Sequence, residues 1–285
     1  MMENPLDVKS KKRKTKGQAY SMPKSLTSPG LDDYLKRAKV LGIIPNFWLT
    51  KEYLSTQNIT PRSNGKVIWL EEDDWAIFPP LPLWGKLRDV SLDSPTLRVW
   101  SDFENFTIGE PLEFLDWEYT YDAYNFQVMK GKRWAVFRKN SRKWQKDKKW
   151  EYKPLLPGGN NKQAEALLVK WLESKPEEEI HDQESMLHFV LKGSLRGFLF
   201  DKDKLVGVNA WDWNELHRTF LMYRYCVTDP DEPFLNEFAR LLFYQSMPGW
   251  LVIDGGCLGN PGLERFKDKL NPVKKRAIYS KIIRR

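Results

Sequence analysis

The chain has 285 residues, of which 41% are hydrophobic and 14% aromatic, so it has the material for a core and global disorder is excluded. Its two cysteines exclude a disulfide framework, and the lack of an apolar run of roughly 20 residues or of an apolar leader predicts a cytoplasmic protein without a membrane span. The formal net charge of +8 favours polyanionic partners such as nucleic acid, anionic lipid or phosphorylated substrates, with simple solubility charge as the alternative.

Residues 1–30 are predicted to form a basic flexible tail. Five lysines and one arginine lie between Lys9 and Lys16, and Ser, Pro and Gly follow them. Such a cluster either neutralises phosphates or is a solvated terminus.

Two lobes of mixed α/β structure are predicted after the tail. The first, residues 31–158, begins with a helix over 31–41 and continues with short strands. The helix is predicted to have Leu31, Tyr34, Leu35 and Ala38 on its inner face. A break at Pro157-Gly158-Gly159 separates it from a second lobe, residues 159–285.

A strongly basic helix is predicted between Lys130 and Lys149. Trp134, Phe137 and Trp144 give it an apolar stripe, while the remaining positions hold ten basic residues and one acid, Asp147. Like charges on one helix repel each other, which favours an anion on this face, although a solvated basic helix is the alternative. The candidate nucleic-acid-binding residues are Lys132, Arg133, Arg138, Lys139, Arg142 and Lys143.

The second half predicts a hairpin, a strand over 218–227, a helix over 234–245 and a buried strand over 250–253. The inward-facing residues predicted for the helix are Phe234, Phe238, Leu241 and Leu242. Asp254-Gly255-Gly256 ends that strand, Asn260 and Pro261 begin a short helix, and a final strand follows. Ligands in α/β proteins often bind at the carboxyl ends of buried strands, although a tight connector without chemistry is the alternative here.

Two segments resemble one protein family. GKRWAVFRKNSRKWQKDKKWEYKPL (131–155) and VIDGGCLGNPGLERFKDKLNPVKKRAIY (252–279) resemble, in the same order, segments of phosphatidylglycerol lysyltransferase C-terminal-like proteins. The resemblance implies an α/β (α+β) fold of two tandem GNAT-like lobes, each a mixed, mostly antiparallel sheet flanked by helices. It also implies transfer of an acyl or aminoacyl group, with aminoacyl-tRNA or acyl-CoA as donor.

The loop before the helix at 234–245 departs from the GNAT pattern. Acyl-CoA enzymes carry glycines there, whereas this chain has Asp229-Pro230-Asp231-Glu232-Pro233. Acids repel a pyrophosphate and prolines lack N–H donors, so the loop predicts poor CoA binding and better reception of an ammonium group. An acidic cap on the helix dipole is the alternative.

The candidate site follows from these strand ends. Asp254 is predicted to be a positioning or basic carboxylate, so Asp254→Asn is expected to lower turnover far more than stability. Tyr223 and Tyr225, expected to face one side of their strand, are predicted to act as acid or to pack. Lys267 and Lys269 are predicted to hold a phosphate or carboxylate. The other candidate substrate-binding residues are Gly255, Gly256, Asn260, Asp229 and Asp231. No metal-ligand spacing is present.

Three functions compete. The first is an acyl or aminoacyl transferase that acts on an amine or hydroxyl, with a nucleic acid (a modified DNA base or tRNA) as acceptor or donor. The second is an acyl-CoA-dependent N-acyltransferase on a small molecule or protein, and the third is a nucleic-acid-binding protein without catalysis. We expect the first, because the tail and the helix at 130–149 are basic.

Overall fold

A computed structural model describes residues 29–43, 46–73, 75–85, 95–100, 111–146, 148–154, 161–176, 182–214, 217, 219–257 and 259–282. Almost all of the predicted basic tail and the predicted boundary between the lobes lie outside these residues and stay predictions. Within the described ranges, every helix is too short or too polar to cross a bilayer.

Eight helices lie in the described ranges. They are α1 (Leu31–Val40), α2 (Lys51–Leu54), α3 (Tyr124–Val128), α4 (Ala135–Gln145), α5 (Asn161–Glu173), α6 (Gln183–Leu187), α7 (Leu235–Ser246) and α8 (Pro261–Lys269). A 3-10 turn over Lys132–Trp134 leads into α4, and a π turn over His188–Lys192 follows α6.

The described strands number twelve. They are β1 (Thr60–Ser63), β2 (Val67–Glu72), β3 (Trp75–Ala76), β4 (Leu81–Pro82), β5 (Pro95–Trp100), β6 (Pro111–Asp122), β7 (Trp150–Pro154), β8 (Leu195–Asp201), β9 (Lys204–Trp213), β10 (Phe220–Thr228), β11 (Leu251–Asp254) and β12 (Lys274–Ile282).

All of these strands belong to one sheet, which is mostly antiparallel. The order is β1-β2-β3-β5-β12-β6-β11-β10-β9-β8-β7, with β4 paired to β2. Only the β3–β5 and β10–β11 pairs are parallel among the described strands. The strand β12 lies between β5 and β6, so it completes the sheet formed by strands of the first half of the chain. The predicted mixed α/β, mostly antiparallel fold is confirmed.

Helices cover both faces of the second half of the sheet. α7 packs on β9 and β10, with α3 and α4 outside it, while α5 and the π turn pack on the opposite face. The predicted stripe of α4 is confirmed, because Trp134, Phe137 and Trp144 are buried. On the first half, α1 buries Tyr34, Leu35 and Ala38, three of the four residues predicted for its inner face.

The predicted inner face of α7 was partly wrong. Phe234 precedes the helix in a left-handed conformation (φ 67°), and it and Leu242 are only half-buried. The buried face instead includes Arg240, Phe243 and Tyr244. Because α7 lies between the sheet on one side and α3 and α4 on another, its buried surface is too broad for a single apolar stripe to define.

Candidate functional site

A cleft of about 1330 Å³ opens where β10 and β11 part. The two strands pair in parallel only over Phe220–Tyr223 against Leu251–Asp254. Beyond Tyr223, β10 continues to Thr228 paired with β9 but not with β11. In the part of the chain that the structure describes, no strand pairs with this side of β10 beyond Tyr223. The opening therefore exposes a strand edge at the carboxyl ends of two buried parallel strands, as the sequence predicted for the ligand site.

The cleft has contributions from both halves of the chain. The loop before α2 and α2 itself give an aromatic wall, α7 and α8 give a charged one, and the Asp229–Glu232 loop lies between. The lining includes Phe47, Trp48, Tyr53, Arg224, Tyr225, Cys226, Asp229, Asp231, Phe234, Asn236, Arg240, Asp254, Gly255, Gly256, Asn260, Leu263, Phe266 and Lys267.

Asp254 is the centre of a buried charge cluster at the base of the cleft. Its Oδ2 accepts from Arg240 at 2.9 Å, and its Oδ1 accepts from Lys267 Nζ at 2.9 Å. Lys267 also donates to the carbonyls of Gly255 and Gly256. Since each carboxylate oxygen is already bound by a cation, the geometry favours a positioning role for Asp254 over that of a base. The Lys267 ammonium is likewise fixed by three acceptors.

The two glycines after Asp254 are required by close contacts. A Cβ added at Gly255 would lie 2.7 Å from the Phe47 ring, and one added at Gly256 would lie 1.6 Å from Asp116 Oδ2. Gly255 and Gly256 are not among the described glycines that have a positive φ, so a left-handed backbone does not explain them. The glycines instead let the chain after β11 pass against a ring and a carboxylate.

Arg224 ties the aromatic wall to the sheet. Its guanidinium bonds both oxygens of Asp212 at 2.9 Å and Thr50 Oγ1 at 2.7 Å, and it donates to the carbonyl of Phe47. The ring of Tyr53 lies 4.8 Å from it. Burial raises the pKa of Asp212 to about 6 even though Arg224 and Thr50 act to lower it.

The expectation that Tyr223 and Tyr225 face one side of β10 was wrong. A bulge between them shifts the register against β9, so residues two apart no longer share a face. Tyr223 is buried under α7, where its hydroxyl bonds Asn209, and it does not line the cleft. Tyr225 lines the cleft and packs near Phe189 of the π turn. The pKa values of both phenols are raised, and burial is the largest cause.

The acidic loop is neutralised by lysines that sequence reasoning did not connect to it. Asp229 accepts from Lys170 at 2.5 Å and Lys204 at 2.7 Å, and Asp231 contacts Lys170 at 2.7 Å. Glu232 accepts from Lys148 at 3.0 Å. Burial acts to raise the pKa of Asp229, but the two lysines outweigh it and lower the pKa to about 2. The predicted repulsion of a pyrophosphate by these acids therefore loses its basis.

The remaining candidates divide between the cleft and the surface. Asn260 caps α8 as predicted, accepting from the N–H groups of Gly262 and Leu263, and it lines the cleft. Lys269 is exposed on another face of α8 and does not line the cleft, so it is not brought together with Lys267. Residues two positions apart on an α-helix point about 200° apart around its axis, which explains why Lys267 and Lys269 face different sides of α8.

The basic helix borders the cleft. Lys143 Nζ lies 4.4 Å from the centre of the Phe234 ring, which lines the cleft, and Lys132, Arg133, Lys139 and Arg142 are also exposed. Arg138 differs from them, since it is half-buried and donates to the carbonyls of Met129 and Gly131. It stabilises the turn before the helix and is not part of the exposed basic face.

Sequence reasoning missed Phe47, Arg224 and Arg240. Arg240 could have been predicted from a local pattern. It lies within a mostly apolar helix that follows an acidic loop, and an arginine in such a position is a candidate for a buried ion pair. Phe47 and Arg224 had none, since their bonds join residues 177 positions apart.

Comparisons with known proteins show the fold. The chain matches no model of a known protein family, and no curated protein sequence matches it significantly. Its structure is similar to that of a conserved protein of unknown function from Bacteroides thetaiotaomicron (TM-score 0.70, 14% identity, 90% of this chain and 98% of that one).

Two further solved structures are similar. One is L-PGS from Bacillus licheniformis (TM-score 0.61, 12% identity, 90% of this chain and 93% of that one). The other is the C-terminal domain of a putative lysylphosphatidylglycerol synthetase from Agrobacterium fabrum (TM-score 0.59, 10% identity, 90% and 92%). The fold that the two sequence segments implied is thus confirmed.

Proposed function

We propose that this chain, which shares its fold with the C-terminal domain of a putative lysylphosphatidylglycerol synthetase, is a transferase that moves an aminoacyl group to an amine or hydroxyl acceptor in the cleft between β10 and β11. The observation that carries the proposal is the edge of β10 beyond Tyr223, with which none of the described strands pairs and which begins beside the buried Asp254, Arg240 and Lys267 cluster. Acyl transfer needs a donor held in extended form and a fixed positive field near its carbonyl.

The chemistry makes limited demands on the protein. The acceptor nitrogen or oxygen bonds to the donor carbonyl carbon, the ester bond to the carrier breaks, and the leaving carrier oxygen takes the proton that the acceptor loses and becomes a hydroxyl. Backbone groups of β10 from Arg224 to Thr228 are placed to bind the donor along this edge. Asp254 holds Arg240 and Lys267 beside the reaction point, and their positive charge favours the oxyanion that forms there.

The exposed basic face of α4 supports tRNA as the carrier of the donor. Lys139, Arg142 and Lys143 lie on this face, and Lys143 reaches the rim of the cleft. A nucleic acid lying along α4 would therefore have its end near the cleft. The positive charge of α4 is also the only support for a nucleic acid as the acceptor. We therefore propose that the nucleic acid carries the donor group.

An acyl-CoA donor is the second candidate, and one observation favours it. The lysines around the Asp229–Glu232 loop remove the repulsion that a pyrophosphate would meet. Against it, Pro230 and Pro233 offer no N–H groups to phosphate oxygens.

The test is a transfer assay with labelled donors. The protein is incubated with a pool of ¹⁴C-aminoacyl-tRNAs or with ¹⁴C-acetyl-CoA, together with a mixture of amines, hydroxyl compounds and phosphatidylglycerol vesicles, and labelled products are separated. We expect label to leave the tRNA pool for an acceptor. Label taken only from acetyl-CoA would establish the second candidate. Salt-sensitive tRNA binding without release of label from either donor would contradict a transferase.

A further inference from the structure

Phe47 is a loop residue whose two peptide groups are both held by buried charged side chains. Its N–H donates to Glu118 Oε2 at 2.7 Å, and its carbonyl accepts from Arg224. Glu118 is 1% exposed and also accepts from Arg276, while Arg224 is 6% exposed and is paired with Asp212. Four strands of the sheet, β6, β12, β9 and β10, therefore contribute a charged group to the position of one loop residue.

This arrangement is costly for a loop that only needs to fold. Burying an ion costs several kcal/mol before its partner compensates, and an apolar replacement of a buried pair is often as stable. The Phe47 ring also has two close neighbours, since its centre lies 4.4 Å from the Arg224 guanidinium and 5.1 Å from the Trp48 ring. The Glu118–Arg276 and Asp212–Arg224 ion pairs therefore fix the position of an aromatic residue.

The ring lies at the reaction point of the proposed transfer. Its edge contacts the chain where β11 ends, so closely that a Cβ at Gly255 would lie 2.7 Å from Phe47 Cε1. Asp254, the preceding residue, is the centre of the buried charge cluster, and Phe47 is half-buried and lines the cleft beside it. A group whose carbonyl is placed at the parting of β10 and β11 has its substituent next to this ring.

We propose that Phe47 determines the size of the group that is transferred, an inference that rests on the proposed function. The fixed ring admits small or unbranched acyl groups at the end of β11 and excludes aromatic ones. The selection is steric, because the ring has no room to move towards Gly255 and is stacked on Arg224 on another side. Because this steric selection depends on the acyl group and not on its carrier, it applies to a tRNA ester and to a CoA thioester.

The test compares small and large groups on the same carrier. The wild type and Phe47→Ala are assayed with glycyl- and alanyl-tRNA against phenylalanyl- and tryptophanyl-tRNA, and with acetyl- against phenylacetyl-CoA. We expect the ratio of kcat/KM for large over small groups to rise about 10- to 100-fold in Phe47→Ala. The control is Tyr124→Ala, which removes a 59% exposed aromatic side chain that does not line the cleft.

Two results would overturn the inference in distinguishable ways. Transfer by both proteins with an unchanged ratio contradicts the role of Phe47 and leaves the proposed function intact. Failure of the wild type to transfer any group from the whole aminoacyl-tRNA pool or from acetyl-CoA contradicts the proposed function and this inference together.

A second measurement tests the position of the ring without using activity. Gly255→Ala places a methyl group against the ring and is expected to lower the unfolding midpoint, whereas in Phe47→Ala/Gly255→Ala that methyl group has space. The cost of Gly255→Ala should therefore be smaller in the Phe47→Ala background. Equal costs in the two backgrounds would contradict the contact on which the inference depends.

Discussion

Asp254 is shared by two buried cations, and this decides what its substitution does. Asp254→Asn leaves Arg240 and Lys267 without their common counter-charge, so we expect the free energy of unfolding to fall by about 3 kcal/mol in addition to a loss of activity. The sequence alone predicted loss of turnover with little loss of stability. Urea unfolding measures the difference, with exposed Asp203→Asn as the control. Equal stability of Asp254→Asn and the wild type would contradict the ion cluster.

Asp229 gives the protein a pH dependence of known sign. Lys170 and Lys204 overcome the effect of burial and hold its folded pKa at about 2, below its ordinary value of 3.8. A depressed carboxylate pKa contributes stability that is fully present above pH 3.8 and is lost as the pH falls towards 2. The unfolding midpoint of the wild type should therefore fall more steeply than that of Asp229→Asn in this window. Parallel curves would show that the two lysines do not stabilise the carboxylate.

The helix α4 combines a buried stripe with an exposed basic face, and the two can be separated by mutation. Lys139→Glu/Arg142→Glu changes only exposed side chains, so we expect weaker tRNA binding and a salt slope reduced by roughly 2, with stability unchanged. Lys162→Glu/Lys192→Glu, equally exposed but on other elements, is the matched control. Filter binding across salt concentrations measures both, and equal slopes for the two double variants would remove α4 from tRNA binding.

Arg138 belongs to the same helix but is expected to behave differently. Its guanidinium donates to the carbonyls of Met129 and Gly131, so Arg138→Glu should lower the unfolding midpoint. The sequence analysis grouped Arg138 with Arg142 as a candidate for nucleic-acid binding, because no local pattern shows that the turn over Met129 and Gly131 accepts hydrogen bonds from Arg138.

Local signals in the sequence were enough to predict several elements. The Asn260 cap and Pro261 located the start of α8, and the short apolar run located β11, because caps and apolar runs act over a few residues. The long strand β6 was not predicted. Contacts between distant segments were inaccessible: Phe47 lies 71 residues from Glu118, and no local pattern pairs them.

The molecule as a whole is joined by its last strand. β12 pairs with β5 and β6, and the Arg224 bonds to Phe47 and Thr50 cross between the two halves of the chain. We therefore expect one cooperative thermal transition, with equal calorimetric and van't Hoff enthalpies. Two separate transitions in scanning calorimetry would contradict this and would support independent folding of the predicted lobes, residues 31–158 and 159–285.

The location of the proposed chemistry is tested by filling the cleft. Leu263 and Arg265 lie on α8, but Leu263 lines the cleft whereas Arg265 is exposed and does not. Leu263→Trp adds a bulky ring inside the cleft, and Arg265→Trp adds the same ring outside it, so the pair separates occupancy of the cleft from the change in residue type. Stability of each variant is checked by its unfolding midpoint.

The measurement that tests the central claim most directly is the initial rate of label transfer from aminoacyl-tRNA by the wild type and by these two variants. We predict that the wild type and Arg265→Trp transfer label at similar rates and that Leu263→Trp, although folded, loses at least about 100-fold, which corresponds to about 2.7 kcal/mol of transition-state stabilisation. Equal rates for folded Leu263→Trp and Arg265→Trp would contradict the assignment of group transfer to the cleft between β10 and β11.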